Sequence, residues 1–305
     1  VSEIIDLSIW SDDWSLSRFQ NLLESNSNKH IRVLGCEEYN LLGNEDKTTM
    51  YNIKHIIEQG TNKVEFLTGS FPNNDIEFPS DNVRYCTKFW PAYTFKHLEA
   101  VQHKADNTSF TKTFVSLNNK PWDHRCQMMD QLARFDLIKQ GAISWNEPTD
   151  DPNHNFKYWK QQRLIIDEEY ANTKAQYHSF PKTYFKSFLA LVAESTMECM
   201  FPTEKTYTPI YFKKPFIVWS IPNFHKQLTT LGFELYTEII DYSFDSIDND
   251  ADRLEQIVKQ VELLSKTNHR KMYDMVAKKA QRNYNILKDI AMDSFSIPVG
   301  YKEIS

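Results

Sequence analysis

The chain predicts an α/β protein built from two Rossmann-like domains, and three observations carry that expectation. Short apolar runs alternate with stretches of helical spacing, the pattern of parallel strands covered by crossover helices. At 305 residues the chain is about twice the length of a typical domain. The alternation also restarts after the polar stretch His103-Lys104-Ala105-Asp106-Asn107-Thr108-Ser109, which is therefore the expected boundary.

In the first part, residues 4–9 read as a strand, and Ser11 or Asp12 can cap a helix that carries Phe19, Leu22 and Leu23. Residues 31–35 form a second strand that runs into Cys36-Glu37-Glu38-Tyr39-Asn40. Ligands of open α/β sheets gather at the carboxyl ends of strands, which marks Glu37 and Glu38, with Asp12 and Asp13 behind them. A solvated acidic turn is the other reading of that pair. Residues 51–57 place Ile53, Ile56 and Ile57 on one side of a helix, and residues 64–69 and 83–86 supply two more strands around a Pro-containing loop at 71–80.

In the second part, Thr113-Phe114-Val115-Ser116-Leu117 is a buried-strand pattern ending near Asn118. The following helix places Met128, Met129, Leu132 and Phe135 at core spacing, with Arg125 near its start. Arg125 reads either as a cation for a pyrophosphate or as a surface ion pair. Residues 141–146 make a short strand or turn, and residues 156–170 are polar enough for a helix or insert. Beyond residue 219 the pattern gives a helix through Leu228 and Leu231 that stops at Gly232, and a last strand at 233–236. A long helix opened by Asp250 or Asp252 and another over 272–290 complete the chain.

The stretch of most chemical interest is Phe201-Pro202-Thr203-Glu204-Lys205. It lies between two strand-like runs, 188–193 and 215–219, in a β-loop-α-β order, with Glu194 at the end of the first. Thr203 is a good N-cap for a helix beginning Glu204-Lys205. A helix start offers backbone N–H groups and a positive dipole end to a phosphate, and Lys205 adds a full cation. Glu204 can accept hydrogen bonds from vicinal hydroxyls such as those of a ribose. The bland alternative is a dipole-stabilising Glu beside an ordinary surface Lys.

Composition narrows the classes. With a net charge of −6 and no long basic run, a nucleic-acid partner is not expected. The four cysteines, Cys36, Cys86, Cys126 and Cys199, are widely spaced without a CxxC pair, so free thiols are expected rather than a disulfide framework or a zinc site. Only seven glycines occur, and Gly-rich phosphate loops are absent. No apolar stretch approaches the roughly 20 residues of a membrane span. The first residues lack the basic and apolar regions of a signal peptide, so the cytoplasm is the expected compartment, the host's if the protein is virus-encoded.

Taken together, several segments resemble the fucosyltransferase-like nucleotide-sugar glycosyltransferases, including viral and bacterial members. Phe114-Val115-Ser116-Leu117-Asn118 followed by His124-Arg125 is similar to the start of their donor-binding domain. Glu194-Ser195, Thr203-Glu204-Lys205 and Lys214-Pro215-Phe216-Ile217 resemble their nucleotide-sugar motif, and Asp241-Tyr242-Ser243-Phe244-Asp245 and Asp252-Arg253 their C-terminal portion. The resemblance covers roughly residues 113–265. It implies a GT-B architecture, with two Rossmann-like domains facing across a cleft. Residues 1–108 would form the acceptor side and 109–275 the donor side, with a C-terminal helix and tail at 276–305 packing back on the first domain. The donor would be a nucleoside-diphosphate sugar, GDP-fucose or similar, and the acceptor a glycan or other hydroxyl.

By position, the resemblance makes Asn118, Arg125, Glu194, Thr203, Glu204 and Lys205 the donor-binding set. Arg125 and Lys205 would neutralise the pyrophosphate, Glu204 would hold the ribose, and Glu194 would support the pocket. No metal or other cofactor is required, because those cations stabilise the departing diphosphate. Inversion needs a carboxylate base, for which Glu37 and Glu38 are the candidates. The family pattern carries Asn where this chain has Ser195, and small glycines where it has Trp219-Ser220-Ile221-Pro222-Asn223, so neither base nor sugar is specified. A non-catalytic protein that keeps this fold for sugar binding or assembly is the reading from another class. A flavodoxin-like enzyme would predict a Gly-rich first turn that is lacking.

Overall fold

A computed structural model describes residues 5–8, 16–35, 55, 58–68, 83–85, 89–101, 109–118, 121–145, 156–160, 162–166, 180–197 and 199–292. Two compact units divide the chain. The first comprises Val1–Trp90, Glu198–Pro202 and Ser294–Ser305, and the second Pro91–Met197 and Thr203–Asp293. Each unit is built on a parallel sheet, which gives the α/β class predicted from the alternating pattern.

In the first unit, strands β1 (Ile5–Ser8), β2 (His30–Gly35), β3 (Lys63–Thr68) and β4 (Val83–Tyr85) lie in sequential order and are all parallel. Helix α1 (Leu16–Ser25) connects the first two. Ile31 and Val64 pair across β2 and β3 and are both fully buried, as β-branched residues in the middle of a covered sheet should be.

Helix α2 (Phe89–Val101) leads into the second sheet. Its residues Ala92, Phe95 and Leu98 are buried at helical spacing, and the Phe95 ring meets Tyr211 edge-on at 5.3 Å. The strands are β5 (Lys112–Asn118), β6 (Gly141–Trp145), β7 (Ser187–Ala193) and β8 (Phe216–Trp219), in the order β6-β5-β7-β8, all parallel. Helix α3 (Asp123–Arg134) carries the chain from β5 to β6 in one direction, and α5 (Glu204–Tyr211) carries it from β7 to β8 in the other. Right-handed crossovers then place α3 and α5 on opposite faces. Short α4 (Lys182–Phe185) enters β7, and α6 (Phe224–Leu228) follows β8. Helix α7 (Asp250–Ser265) packs against α3, and α8 (His269–Met292) against α5. The face of α7 that spacing assigned to the core, Leu254, Ile257, Val258, Val261 and Leu264, is fully buried, as are Met128 and Met129 of α3.

Both edges of this second sheet are covered by local groups. At β8, the Val218 N–H donates to His225 Nε2 at 3.0 Å, and the Tyr242 hydroxyl reaches the Phe216 carbonyl at 3.4 Å. His225 in turn holds Asp245 through its ring Nδ1 at 2.8 Å, while the His225 and Lys226 backbone N–H groups donate to the same carboxylate. Burial opposes the Asp245 charge, but these hydrogen bonds outweigh it and hold the carboxyl below its ordinary pKa. At β6, Trp145 exchanges both backbone hydrogen bonds with Leu164 in an antiparallel bridge.

One sequence expectation changes and two are sharpened. Residues 233–236 do not form a strand, although Phe233 and Tyr236 are buried. The Asn283 side chain of α8 accepts from the Glu234 N–H at 2.8 Å and donates to its carbonyl at 2.9 Å, doing what a neighbouring strand would do. Of the helix and insert readings for 156–170, the described residues among 156–166 take the non-helical one, and Leu164 forms a bridge with Trp145. The long helix does open at Asp250, one of the two Asp residues expected there, and its cap is Asn249, whose side chain accepts from the Asp252 N–H. Gly232 does end the helical segment after β8, at φ 93°, a left-handed conformation that suits glycine.

Candidate functional site

The strand order of the second sheet reverses between β5 and β7, and a reversal opens a crevice beyond the carboxyl ends of the two strands. The loops leaving β5 and β7 run to opposite faces there. Asn118 ends β5; since Val115 pairs with Ala190, Asn118 stands level with the end of β7, one residue before Glu194. Among the described residues, the predicted donor set falls on these two loops and the helix starts that follow them.

Glu194 is completely buried, and its carboxylate is the anchor of the β7 loop. Oε1 accepts from the Thr203 N–H at 3.0 Å and the Thr206 hydroxyl at 2.5 Å. Oε2 accepts from the Thr203 hydroxyl at 2.7 Å and the Ser195 N–H at 3.1 Å. A buried carboxylate is tolerated when its lone pairs are used in this way. The effect is to pin the start of α5 to the end of β7.

Thr203 is the N-cap of α5, as its sequence context predicts; its hydroxyl accepts from the Lys205 N–H at 3.3 Å. The Thr206 and Tyr207 N–H groups turn back to the Thr203 carbonyl. The helix start is therefore largely satisfied within the chain, and a phosphate arriving here would meet the Lys205 ammonium before it met open backbone donors. Lys205 Nζ lies 2.9 Å from Glu204 Oε1, 2.9 Å from Ser195 Oγ and 3.4 Å from Thr203 Oγ1. Its side chain is 24% exposed and that of Glu204 17%, so solvent and ligand can reach both. Burial works against the Lys205 charge, but the Glu204 and Glu194 carboxylates outweigh it and raise the pKa above the usual lysine value.

Across the crevice, α3 opens with Asp123, His124 and Arg125. Arg125 is only 4% exposed, which removes the surface ion pair as its reading. Its positive charge is felt at both His124 and Lys205, working to lower the pKa of each. His124, which sequence reading passed over as a site residue, ties the two loops together: its Nε2 meets the Glu194 carbonyl at 2.7 Å. A carbonyl can only accept, so Nε2 carries the proton. Burial chiefly, with the Arg125 charge adding to it, lowers the His124 pKa to about 4, and the ring is neutral at pH 7. The Trp219 indole donates to the His124 carbonyl at 3.1 Å, bringing in the end of β8. The missed signal was the His beside the Arg, a short polar side chain just beyond a strand end.

Asn118 is 1% exposed; its Nδ2 donates to Ser116 Oγ at 3.0 Å, and its Oδ1 has no protein partner. An unpartnered acceptor at a switch point is a natural contact for a ligand N–H or hydroxyl. Glu37 and Glu38 lie outside the described residues. The downstream resemblance motifs have structural work. Arg253, 1% exposed, donates to the Ser220, Ile247 and Asp248 carbonyls and stacks over Trp219 with 5.0 Å to the ring centroid. Asp245 braces His225.

Cys126 and Cys199 are buried and outside any disulfide, and the Cys126 thiol donates to the Pro121 carbonyl at 3.5 Å. Among the described residues, no three His, Cys, Asp or Glu side chains cluster as a metal site would require, and no helix is long and apolar enough to cross a membrane.

No family model matches the chain, and no curated protein matches it. Among solved structures it is similar to the DNA-modifying enzyme β-glucosyltransferase, determined with and without its substrate uridine diphosphoglucose. The identity is 12% and the TM-score 0.39, over 94% of this chain and 97% of the other. That likeness is loose, and the site stands on its own geometry.

Proposed function

We propose that the protein is a glycosyltransferase that takes its sugar from a nucleoside-diphosphate sugar and passes it to a hydroxyl acceptor. The observation that carries this reading is the meeting of two cations, Lys205 and the buried Arg125, at a sheet switch point whose loop is fixed by Glu194. A diphosphate is the ligand class that calls for two positive charges side by side, and Glu204 beside Lys205 suits the hydroxyls of its ribose. Asn118 Oδ1 supplies a further acceptor on the β5 side.

In the reaction, the acceptor oxygen forms a bond to the anomeric carbon as the bond from that carbon to the diphosphate oxygen breaks. The electron pair leaves with the nucleoside diphosphate, where Lys205 and Arg125 stabilise the growing negative charge. The acceptor proton passes to a carboxylate, with Glu37 and Glu38 as the candidates, and the anomeric centre inverts. The architecture proposed for this chemistry is GT-B. GDP-fucose is one donor of the class, and the sequence departures at Ser195 and 219–223 make others equal candidates.

The test is a thermal-shift screen of UDP, GDP, ADP and their sugar conjugates against wild type and Lys205→Ala. A ligand that binds only the folded chain raises the melting temperature by mass action. The expected result is a shift with one base family that disappears in Lys205→Ala. Donor turnover should then be abolished by Glu37→Gln or Glu38→Gln while the shift persists. A shift without turnover for any acceptor favours a non-catalytic sugar-binding protein, and no shift with any nucleotide overturns the donor site.

A further inference from the structure

Lys205 carries three N–H donors, and three protein oxygens already receive them: Glu204 Oε1, Ser195 Oγ and Thr203 Oγ1. Only one of those partners is charged. A phosphate group approaching Lys205 therefore meets a carboxylate that already neutralises the ammonium and repels the newcomer. The two hydroxyls can stay in place while the ammonium turns, so Glu204 is the contact that an incoming anion must displace.

Displacement has a consequence for Glu204. Its side chain is only 17% exposed, so once separated from Lys205 the carboxylate has lost its cation and has only partial access to water in exchange. New donors must replace the ammonium. A vicinal diol provides two O–H groups that can both donate to one carboxylate, and a diphosphate carried on the same molecule delivers them where Lys205 has just been claimed.

We infer that Glu204 is an internal competitor for Lys205 that makes the site selective for ligands bearing both a diphosphate and a ribose diol. This deepens the donor-site reading and rests on it. Free phosphate or pyrophosphate breaks the pair and leaves Glu204 without its cation; a nucleoside alone meets a Glu204 whose Oε1 is still held by Lys205. Only the joined ligand satisfies both residues, and its two halves bind cooperatively. The raised Lys205 pKa keeps its ammonium charged across the neutral range.

The experiment is calorimetric titration of the full chain, wild type and Glu204→Gln, with inorganic pyrophosphate, with UDP, GDP and ADP, and with the 2′-deoxy form of whichever nucleotide binds. Glutamine keeps the shape of the side chain and removes the charge, and matched circular-dichroism melts confirm folding. Glu204→Gln should bind pyrophosphate about 10-fold more tightly and the nucleoside diphosphate about 10-fold more weakly, reversing the selectivity. Wild type should prefer the ribo over the 2′-deoxy nucleotide, and the variant should lose that preference. If wild type binds a nucleoside diphosphate but Glu204→Gln leaves pyrophosphate affinity unchanged or weaker, the competitor role is overturned while the donor site stands. If wild type binds none of the three nucleotides, the donor site itself falls, and this inference with it.

Discussion

Among the described residues, the two units contain sheets of equal strand number and the same parallel sense, yet their strand orders differ. The first runs β1-β2-β3-β4, so each crossover among its described strands steps in one direction. The second runs β6-β5-β7-β8 and reverses in the middle. A sheet wound one way closes its carboxyl edge with loops that all turn alike; a reversal parts them. In the second sheet the parted ends hold a buried Asn118 and a buried Glu194, with Lys205, Glu204, His124 and Arg125 on the flanking helix starts. The second sheet thus gathers its candidate donor residues where its strand order reverses.

The comparison breaks most severely at Glu194. Glu194→Ala removes one carboxylate from four donors, two of them backbone N–H groups, and leaves them unpaired in the interior. Urea denaturation should show a loss of about 3–5 kcal/mol, together with loss of any nucleotide-induced thermal shift. A loss under about 1 kcal/mol would mean that the β7 loop is held by something other than this carboxylate.

A second test sharpens the role of His124 as the tie between the two parted loops. Its folded pKa of about 4 lies below the ordinary 6.5, so as pH falls through that interval the unfolded chain binds a proton that the folded chain refuses. Stability attributable to this group is whole above about pH 6.5, declines towards pH 4 and stays lost below it. The gap corresponds to about 3 kcal/mol. His124→Gln, whose amide can still donate to the Glu194 carbonyl, should lose correspondingly less stability than wild type between pH 7 and pH 4. Parallel pH profiles for the two proteins would remove the buried-imidazole account.

The smallest effect concerns the packing beneath the reversal. Gly141 opens β6, and a Cβ placed there would sit 2.4 Å from the Phe114 ring of β5. Gly141→Ala should cost about 1–3 kcal/mol in chemical denaturation, with nucleotide affinity retained, because the strand start is at the far end from the carboxyl crest.

Much of the second sheet was legible because its strands are buried on both faces and read as unbroken apolar runs, as in Phe188-Leu189-Ala190-Leu191-Val192-Ala193. The Thr203 cap was legible too, since a cap is a local signal spanning three residues. Partnerships over long separation were not. Nothing near 233–236 announces that Asn283, some fifty residues on, will satisfy its backbone, so two buried aromatics around a polar residue looked like a strand. The same holds for His225 with Asp245, and for the Glu194 carbonyl that receives His124 from seventy residues earlier. Arg125 was ambiguous because a sequence gives its charge and not its depth. The reversal of strand order, on which the whole site depends, is a property of pairing and leaves no mark on any single segment.

The imidazole of His225 has one more implication. An outermost strand with open N–H and C=O groups is a template on which another chain can add a strand. Here Val218 and Phe216 spend theirs on His225 and Tyr242, and the opposite border is met by Leu164. At these positions the borders of the second sheet already have partners, side chains at β8 and the Leu164 backbone at β6. Another strand could add there only by displacing them, so association of copies of the chain costs less at other surfaces.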